Sequence, residues 1–249
     1  MTKAVVVVPT YNEIENIERL IRTVFSLQRE FHILIVDDNS PDGTASVVEA
    51  NFNTYPDKLF LLKRGEKQGL GAAYIAGFKW ALARDYEYIF EMDADFSHNP
   101  NDLIRLYNAC YKEGAHMAIG SRYIQGVNVV NWPMTRVLLS WMASKYVQLV
   151  MQMNIYDATA GFICYQRKVL EKINLDNIRF VGYAFQIEMK FKTYLSNFKI
   201  KEVPVIFTDR TKGESKMSSG IISEAIFGVV GMKLKSVFYK KRFFRKSFH

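Results

Sequence analysis

The first 120 residues alternate short runs of β-branched residues with segments of helical period, and no other feature restricts the chain's fold as much. Ala4–Val8, Ile33–Val36, Leu59–Leu62, Tyr86–Met92 and Met117–Gly120 read as strands. The first two are almost continuously apolar, which suits strands buried on both faces of a parallel sheet. Between them Ile17, Leu20, Ile21, Val24 and Phe25 recur at helical spacing, as do Leu103, Leu106, Tyr107, Cys110 and Tyr111 farther on. Asn99 can cap that second helix, with Pro100 in its first turn and Asp102 complementing its dipole. Repeated strand–helix–strand units predict an open α/β sheet with helices on both faces.

The second half is less regular. Pro133 to about Met153 reads as an amphipathic helix, Tyr183–Leu195 as another, and Ala160–Tyr165 and Val203–Phe207 as strands. Thr208–Ser219 is polar and reads as a mobile loop before a final helix from Ile221 to about Tyr239. No linker rich in Pro, Gly or Ser divides the chain, so a single domain over residues 1–232 is expected.

With 33 Lys+Arg against 25 Asp+Glu, the chain has a formal net charge of +8, which invites a nucleic-acid or anionic-membrane reading. The distribution matters more than the sum. No acidic residue follows Glu224, whereas Lys233, Lys235, Lys240, Lys241, Arg242, Arg245 and Lys246 supply seven positive charges. The body is therefore nearly neutral, and residues 233–249 form a basic tail interleaved with Phe238, Tyr239, Phe243, Phe244 and Phe248. Basic residues mixed with aromatics suit an anionic membrane surface. An RNA reader would need stacking aromatics on an exposed sheet, and these strands read as buried. Nucleic acid is not an expected partner.

No stretch reaches the ~20 apolar residues of a membrane span. Met1-Thr2-Lys3 runs directly into a strand rather than a signal sequence. Cys110 and Cys164 sit in apolar segments without metal-like spacing and read as reduced core residues of a cytoplasmic chain.

Ligands of an open parallel sheet bind beyond the carboxyl ends of its strands. The polar clusters fall there: Pro9-Thr10-Tyr11-Asn12-Glu13 after the first strand, Asp37-Asp38-Asn39-Ser40-Pro41-Asp42-Gly43 after the second, and Asp93-Ala94-Asp95 after the fourth. On an extended backbone Asp93 and Asp95 would project to one side, a repulsive arrangement that a hard divalent cation carrying a diphosphate would offset. An EF-hand is excluded, because the sixth position from Asp93 is His98 and the twelfth is Ile104. Gly69-Leu70-Gly71 lacks the third glycine and the first-strand position of a dinucleotide fingerprint. Close backbone packing or a helix start facing a phosphate accounts for it better. No P-loop, HExxH or GxSxG motif is present.

Five motifs occur in order: Val8-Pro9-Thr10-Tyr11-Asn12-Glu13, Val36-Asp37-Asp38-Asn39-Ser40-Pro41-Asp42-Gly43-Thr44, Gly69-Leu70-Gly71, Asp93-Ala94-Asp95 and Gly120-Ser121-Arg122-Tyr123. Arg210-Thr211-Lys212-Gly213-Glu214-Ser215-Lys216-Met217 follows. Over about residues 4 to 217 the chain resembles the family 2 inverting glycosyltransferases of GT-A fold, and closely the dolichyl/polyprenyl-phosphate mannose synthases. The resemblance implies an open, mostly parallel twisted sheet flanked by helices, with a nucleotide-sugar half to about residue 125 and an acceptor half over about 126–232. Pro9, Tyr11, Glu13, Val36 and Asp38 would line the base and ribose pocket. Asp93 and Asp95 would hold Mg²⁺ or Mn²⁺ on the diphosphate, with Ala94 beside them; Ser97 stands where relatives often carry a further Gln ligand. Arg210 and Lys216 would close over the diphosphate from a lid. Arg122, Arg136 and Ser140 match acceptor-phosphate positions, and Asp157 would orient the acceptor, act as base or serve packing.

The implied reaction is transfer of mannose from GDP-mannose to dolichyl or polyprenyl phosphate at the cytoplasmic face of a membrane, and a membrane-anchoring partner is compatible with it. The alternatives are a UDP-sugar donor such as UDP-glucose with the same lipid acceptor, or transfer to a glycan. The QxxRW signature of glycan-directed relatives is absent.

Overall fold

A computed structural model describes residues 3–209 and 227–236. The strands are β1 (Ala4–Thr10), β2 (His32–Asp37), β3 (Leu59–Lys63), β4 (Tyr88–Glu91), β5 (Met117–Ser121), β6 (Val129–Val130), β7 (Ile163–Gln166), β8 (Ile200–Pro204) and β9 (Phe207–Thr208). The helices are α1 (Ile14–Phe25), α2 (Thr44–Ala50), α3 (Leu70–Leu82), α4 (Asp102–Tyr111), α5 (Met134–Met151), α6 (Arg167–Lys172) and α7 (Tyr183–Leu195), and residues 227–236 are also helical.

Seven strands form one sheet in the order β3-β2-β1-β4-β7-β5-β8. All neighbours are parallel except β7, which runs antiparallel between β4 and β5. β6 and β9 form a separate parallel pair. Side chains alternate strictly across β1 and β2. Val5, Val7, Leu34 and Val36 join the core beneath α3 and α7, whereas Ala4, Val6, Val8, Ile33 and Ile35 join the core beneath α1 and α4. Both faces are therefore covered, which is why these strands read as unbroken apolar runs. α1 buries Ile17, Leu20, Ile21 and Val24 on one face, with Glu15 in its first turn and Arg22 in its last.

Several boundaries differ from the sequence reading, each for a local reason. β4 stops at Glu91, so Asp93 and Asp95 sit in a bent loop and not on extended backbone. α4 begins at Asp102, because the Asn99 side chain accepts from the Asn101 amide and closes the turn before the helix. α5 and α7 coincide closely with their expected spans. Of the expected loop over Thr208–Ser219, Thr208 is in β9 and Asp209 follows it; the rest, with Arg210 and Lys216, lies outside the described residues.

Candidate active site

The carboxyl ends of β1, β2 and β4 adjoin, and two aspartates knit the first two loops together. Asp37 accepts from the Thr10 hydroxyl (2.8 Å) and from the amide and hydroxyl of Ser40 (2.9 and 2.6 Å). The Ser40 hydroxyl in turn accepts from the Asn12 amide. Asp42 accepts from the amides of Ile14 and Thr44 and from the Thr44 hydroxyl, bridging the starts of α1 and α2. Burial pushes the Asp42 carboxyl up, but these donors outweigh it and hold the group below its ordinary value.

Tyr11 and Asp38 lie on that scaffold, each beside a cation. The Lys67 ammonium lies 4.3 Å from the Tyr11 ring centroid, and Arg64 Nη1 lies 3.2 Å from Asp38 Oδ1 in a nearly buried ion pair. Neither of those two atoms makes an aligned hydrogen bond among the described residues, so the pair retains unused hydrogen-bonding capacity. Burial raises the Asp38 carboxyl, partly countered by Arg64. Glu13 accepts from the Asn16 side chain, and its amide donates to the Thr44 hydroxyl. Pro9 is half-buried, whereas the Val36 side chain is fully buried in the core beneath α3. Val36 therefore has no side-chain atom open to a ligand.

Beyond β4 the chain turns at Phe96, whose φ is +60°. The loop is held from within: Asp95 Oδ1 accepts from the Ser97 amide, and the Asp93 amide donates to His98 Nδ1. Ala94 and Ser97 are buried, whereas Asp93 and Asp95 are half-buried. The placement of the two carboxylates thus comes from loop hydrogen bonds and not from strand alternation. His98 stacks on Phe162 at 4.8 Å, and burial holds its imidazole down at about 4. Among the described residues no three His, Cys, Asp or Glu side chains group as a metal site. Two hard carboxylate oxygens fit a divalent cation whose remaining positions are filled by a diphosphate.

A buried polar network underlies this loop. Glu91 accepts from the Tyr165 hydroxyl (2.8 Å) and from the Gln186 amide, and burial pushes its carboxyl up to about 7. Lys190, one turn after Gln186 on α7, donates to the Ala160 carbonyl at 2.6 Å, and burial brings its ammonium down to about 8. Gln186 and Lys190 therefore join β4 to the turn that carries Asp157.

That turn faces Arg122. Asp157 is fully buried and accepts from Arg122 Nε and Nη2 (both 2.7 Å) and from the Arg122 amide (2.9 Å), while Nη2 also donates to the Thr159 hydroxyl. Burial pushes the Asp157 carboxyl up, yet Arg122 outweighs it and holds the group below its ordinary value. Glu202 secures the same turn by accepting from the Tyr156 and Asp157 amides. Arg136 Nη1 donates to both oxygens of Asp209 at 2.9 Å and stacks 4.1 Å from the Trp132 ring centroid. Ser140 lies beside the Tyr123 phenol, one helical turn from Arg136.

Phe207 unites the two regions. Its ring meets His98 of the acidic loop at 5.5 Å, Trp132 at 5.2 Å and the Arg122 guanidinium at 5.6 Å. The Thr208 amide also donates to the Ser97 carbonyl. The structure thus links the loop that carries Asp93 and Asp95 to Arg122 through His98 and Phe207 and to Arg136 through Trp132, while Tyr11, Glu13 and Asp38 lie in or beside the loops after β1 and β2. The sequence reading did not pick out Arg64, Lys67, Tyr74, Glu91, His98, Trp132, Gln186 or Lys190. Of these, Gln186 and Lys190 carried a signal, polar residues four apart in a mostly apolar helix whose buried residues also include Glu188 and Thr193.

Relatives and solved structures agree with this architecture. The chain is 45% identical over 227 residues to a polyprenol monophosphomannose synthase of Mycolicibacterium smegmatis, covering 91% of this chain and 85% of that protein. It is 42% identical over 227 residues to an undecaprenyl-phosphate mannosyltransferase of Micrococcus luteus, covering 91% and 92%. A glucosyl-3-phosphoglycerate synthase of Mycobacterium tuberculosis, solved with Mn²⁺, UDP and glucosyl-3-phosphoglycerate, superposes with a TM-score of 0.69 at 16% identity, over 93% of this chain and 80% of that one. A mannosyltransferase of Pyrobaculum calidifontis, solved with GDP-mannose and Mn²⁺, gives a TM-score of 0.59 at 19% identity. That match covers 86% of this chain and 58% of the other. At these identities the structures show the shared GT-A fold. The description "Glycosyl transferase family 2" matches residues 5–174, and the chain belongs to that family.

Proposed function

We propose that this protein transfers mannose from GDP-mannose to dolichyl or polyprenyl phosphate with inversion at the anomeric carbon, using Mg²⁺ or Mn²⁺. The observation that carries the reading is the contact of the acidic loop with the two-arginine cluster through Phe207. A carboxylate pair suited to a metal diphosphate and two arginines, each paired with an aspartate and able to donate to a phosphate monoester, are linked through that one ring. The names of the two relatives supply the substrate classes.

In this reading Pro9, Tyr11, Glu13, Asp38 and the Val36 backbone border the nucleoside, with Arg64 and Lys67 beside them. Asp93 and Asp95, flanked by Ala94, would hold the divalent cation, which when bound would offset charge on the departing diphosphate. Arg210 and Lys216 add cations to that leaving group. Arg122, Arg136 and Ser140 bind the acceptor phosphate. An acceptor monoester is anionic near neutral pH and attacks without a strong protein base. Asp157 then positions Arg122 and does not take a proton: it is buried, held below its ordinary value and already accepts from the Arg122 guanidinium and amide.

Among the described residues no helix is long and apolar enough to cross a membrane. α5, however, turns Met134, Leu138, Leu139, Met142 and Leu149 outward, Leu149 being 79% exposed. That face, beside Arg136 and Ser140, and the basic tail suit peripheral attachment to the cytoplasmic face of an anionic membrane, with or without an anchoring partner. Residues 1–232 act as one catalytic domain, its donor and acceptor halves meeting near residue 125.

The test is a panel of GDP-mannose, UDP-glucose and other nucleotide sugars with polyprenyl phosphate and Mg²⁺ or Mn²⁺, with lipid products read by mass spectrometry. Mannosyl product from GDP-mannose alone is expected; product from a UDP-sugar in its place would overturn the donor assignment.

A further inference from the structure

α3 lies against β1 more closely than an ordinary helix could. A Cβ on Gly77 would come within 2.4 Å of Val7 Cγ1, and one on Gly71 within 2.8 Å of the Phe185 ring. The two glycines bracket Tyr74, which is fully buried between Phe78 and Phe185, both ring centroids 6.0 Å away. The Phe185 ring is nearly parallel to it, at 5°. So fixed, the phenol reaches the end of β4, where its hydroxyl donates to Asp93 Oδ1 at 3.3 Å. Tyr165 supplies the matching hydroxyl to Glu91, two residues earlier.

We infer that Tyr74 is a positioning residue for the metal: its hydroxyl fixes the rotamer of Asp93 and thereby directs the other carboxylate oxygen toward the cation. This deepens the proposed function and rests on its metal assignment. A phenol is suited to the task because it donates one hydrogen bond without neutralising the carboxylate. Outer-shell partners that orient a ligand typically change metal affinity by ~10–100-fold when removed. Gly71 of the Gly69-Leu70-Gly71 segment lets α3 pack against Phe185, the ring that stacks on Tyr74, and Gly77 lets it approach Val7 of β1.

The test is Tyr74→Phe, which keeps the ring and removes only the hydroxyl. Mn²⁺ binding would be titrated by electron paramagnetic resonance with GDP present, for the wild type, Tyr74→Phe and Asp93→Ala. Metal-free GDP binding and thermal unfolding would be measured alongside. The expected result is Mn²⁺ affinity at least ~10-fold weaker in Tyr74→Phe, with GDP binding and thermal midpoint near wild type. Unchanged Mn²⁺ affinity would overturn the inference, and so would an equal loss of metal-free GDP binding, which marks general packing. Failure of the wild type to bind Mn²⁺, or wild-type binding by Asp93→Ala, would overturn the metal assignment and this inference with it.

Discussion

Arg122 and Asp157 meet fork to fork in the interior: two guanidinium nitrogens donate to the two carboxylate oxygens at 2.7 Å, and the Arg122 amide adds a third bond at 2.9 Å. The aspartate is wholly buried and the arginine nearly so. Breaking such a pair by removing one charge typically costs ~3–5 kcal/mol. Asp157→Asn keeps the shape and loses the charge. It is expected to raise the acceptor KM and lower kcat while GDP affinity, measured by calorimetry, stays near wild type. Parallel loss of GDP affinity would contradict the positioning role. The pair also sets an acid limit: because the folded pKa is depressed, its stabilisation is present above the unfolded aspartate value and is lost as pH falls through the folded one.

His98 titrates with the opposite chemistry. Burial holds it at about 4 against 6.5 for an ordinary imidazole, so between those values the unfolded chain binds a proton that the folded one refuses. Stability should therefore fall on acidification from pH 6.5 to 4, by on the order of 3 kcal/mol from this group. Glu91, pushed up to about 7, works in the reverse direction over much of the same window. Comparison with His98→Asn isolates the histidine, since an amide oxygen can still accept from the Asp93 amide. Urea unfolding at successive pH values should show wild type and variant converging at low pH; parallel curves would contradict the account.

Lys190 and Glu91 should be energetically coupled. Lys190→Met removes the buried cation whose charge favours ionised Glu91, while Asp157 keeps Arg122, and is expected to cost up to ~3–5 kcal/mol. Adding Glu91→Gln should recover part of that loss, giving a coupling of ~0.5–3 kcal/mol in a double-mutant cycle of urea midpoints. Strict additivity would show that the two groups do not share a network.

Two surfaces should contribute separately to membrane attachment. Deleting Lys240–His249 removes five cations, each worth up to ~1 kcal/mol at an anionic surface, and should weaken sedimentation with anionic liposomes about tenfold or more. Turnover of a short, water-soluble acceptor should be spared. Leu139→Ser with Leu149→Ser on the outer face of α5 should weaken binding to neutral liposomes as well. Equal liposome binding by all forms would contradict peripheral attachment.

The central parallel strands and the amphipathic helices were legible because periodicity reports burial directly: Ile17, Leu20, Ile21 and Val24 all point inward, and β1 is covered on both sides. The antiparallel insertion of β7 was not legible, since Ile163-Cys164-Tyr165-Gln166 carries no mark of strand direction. α3 was hidden because apolar residues and glycines surround it on every side, leaving no polar face to set a period. The acidic and arginine motifs lay in plain sight. Their supporting residues were harder to see: Tyr74 and Glu91 acquire their meaning from partners 19 to 95 positions away, and the spacing of Gln186 and Lys190 does not name theirs. Asp93 and Asp95 were expected to project to one side of an extended backbone; instead hydrogen bonds to His98 and Ser97 hold them in a bent loop.

The most direct test compares wild type and Asp95→Ala with GDP-mannose, polyprenyl phosphate and saturating Mg²⁺ or Mn²⁺, reading the lipid product by mass spectrometry. The account predicts mannosyl phosphoryl polyprenol from the wild type and none from a folded Asp95→Ala protein at any metal concentration. Near-wild-type turnover by Asp95→Ala in excess metal, or no mannosyl lipid from the wild type, would contradict it.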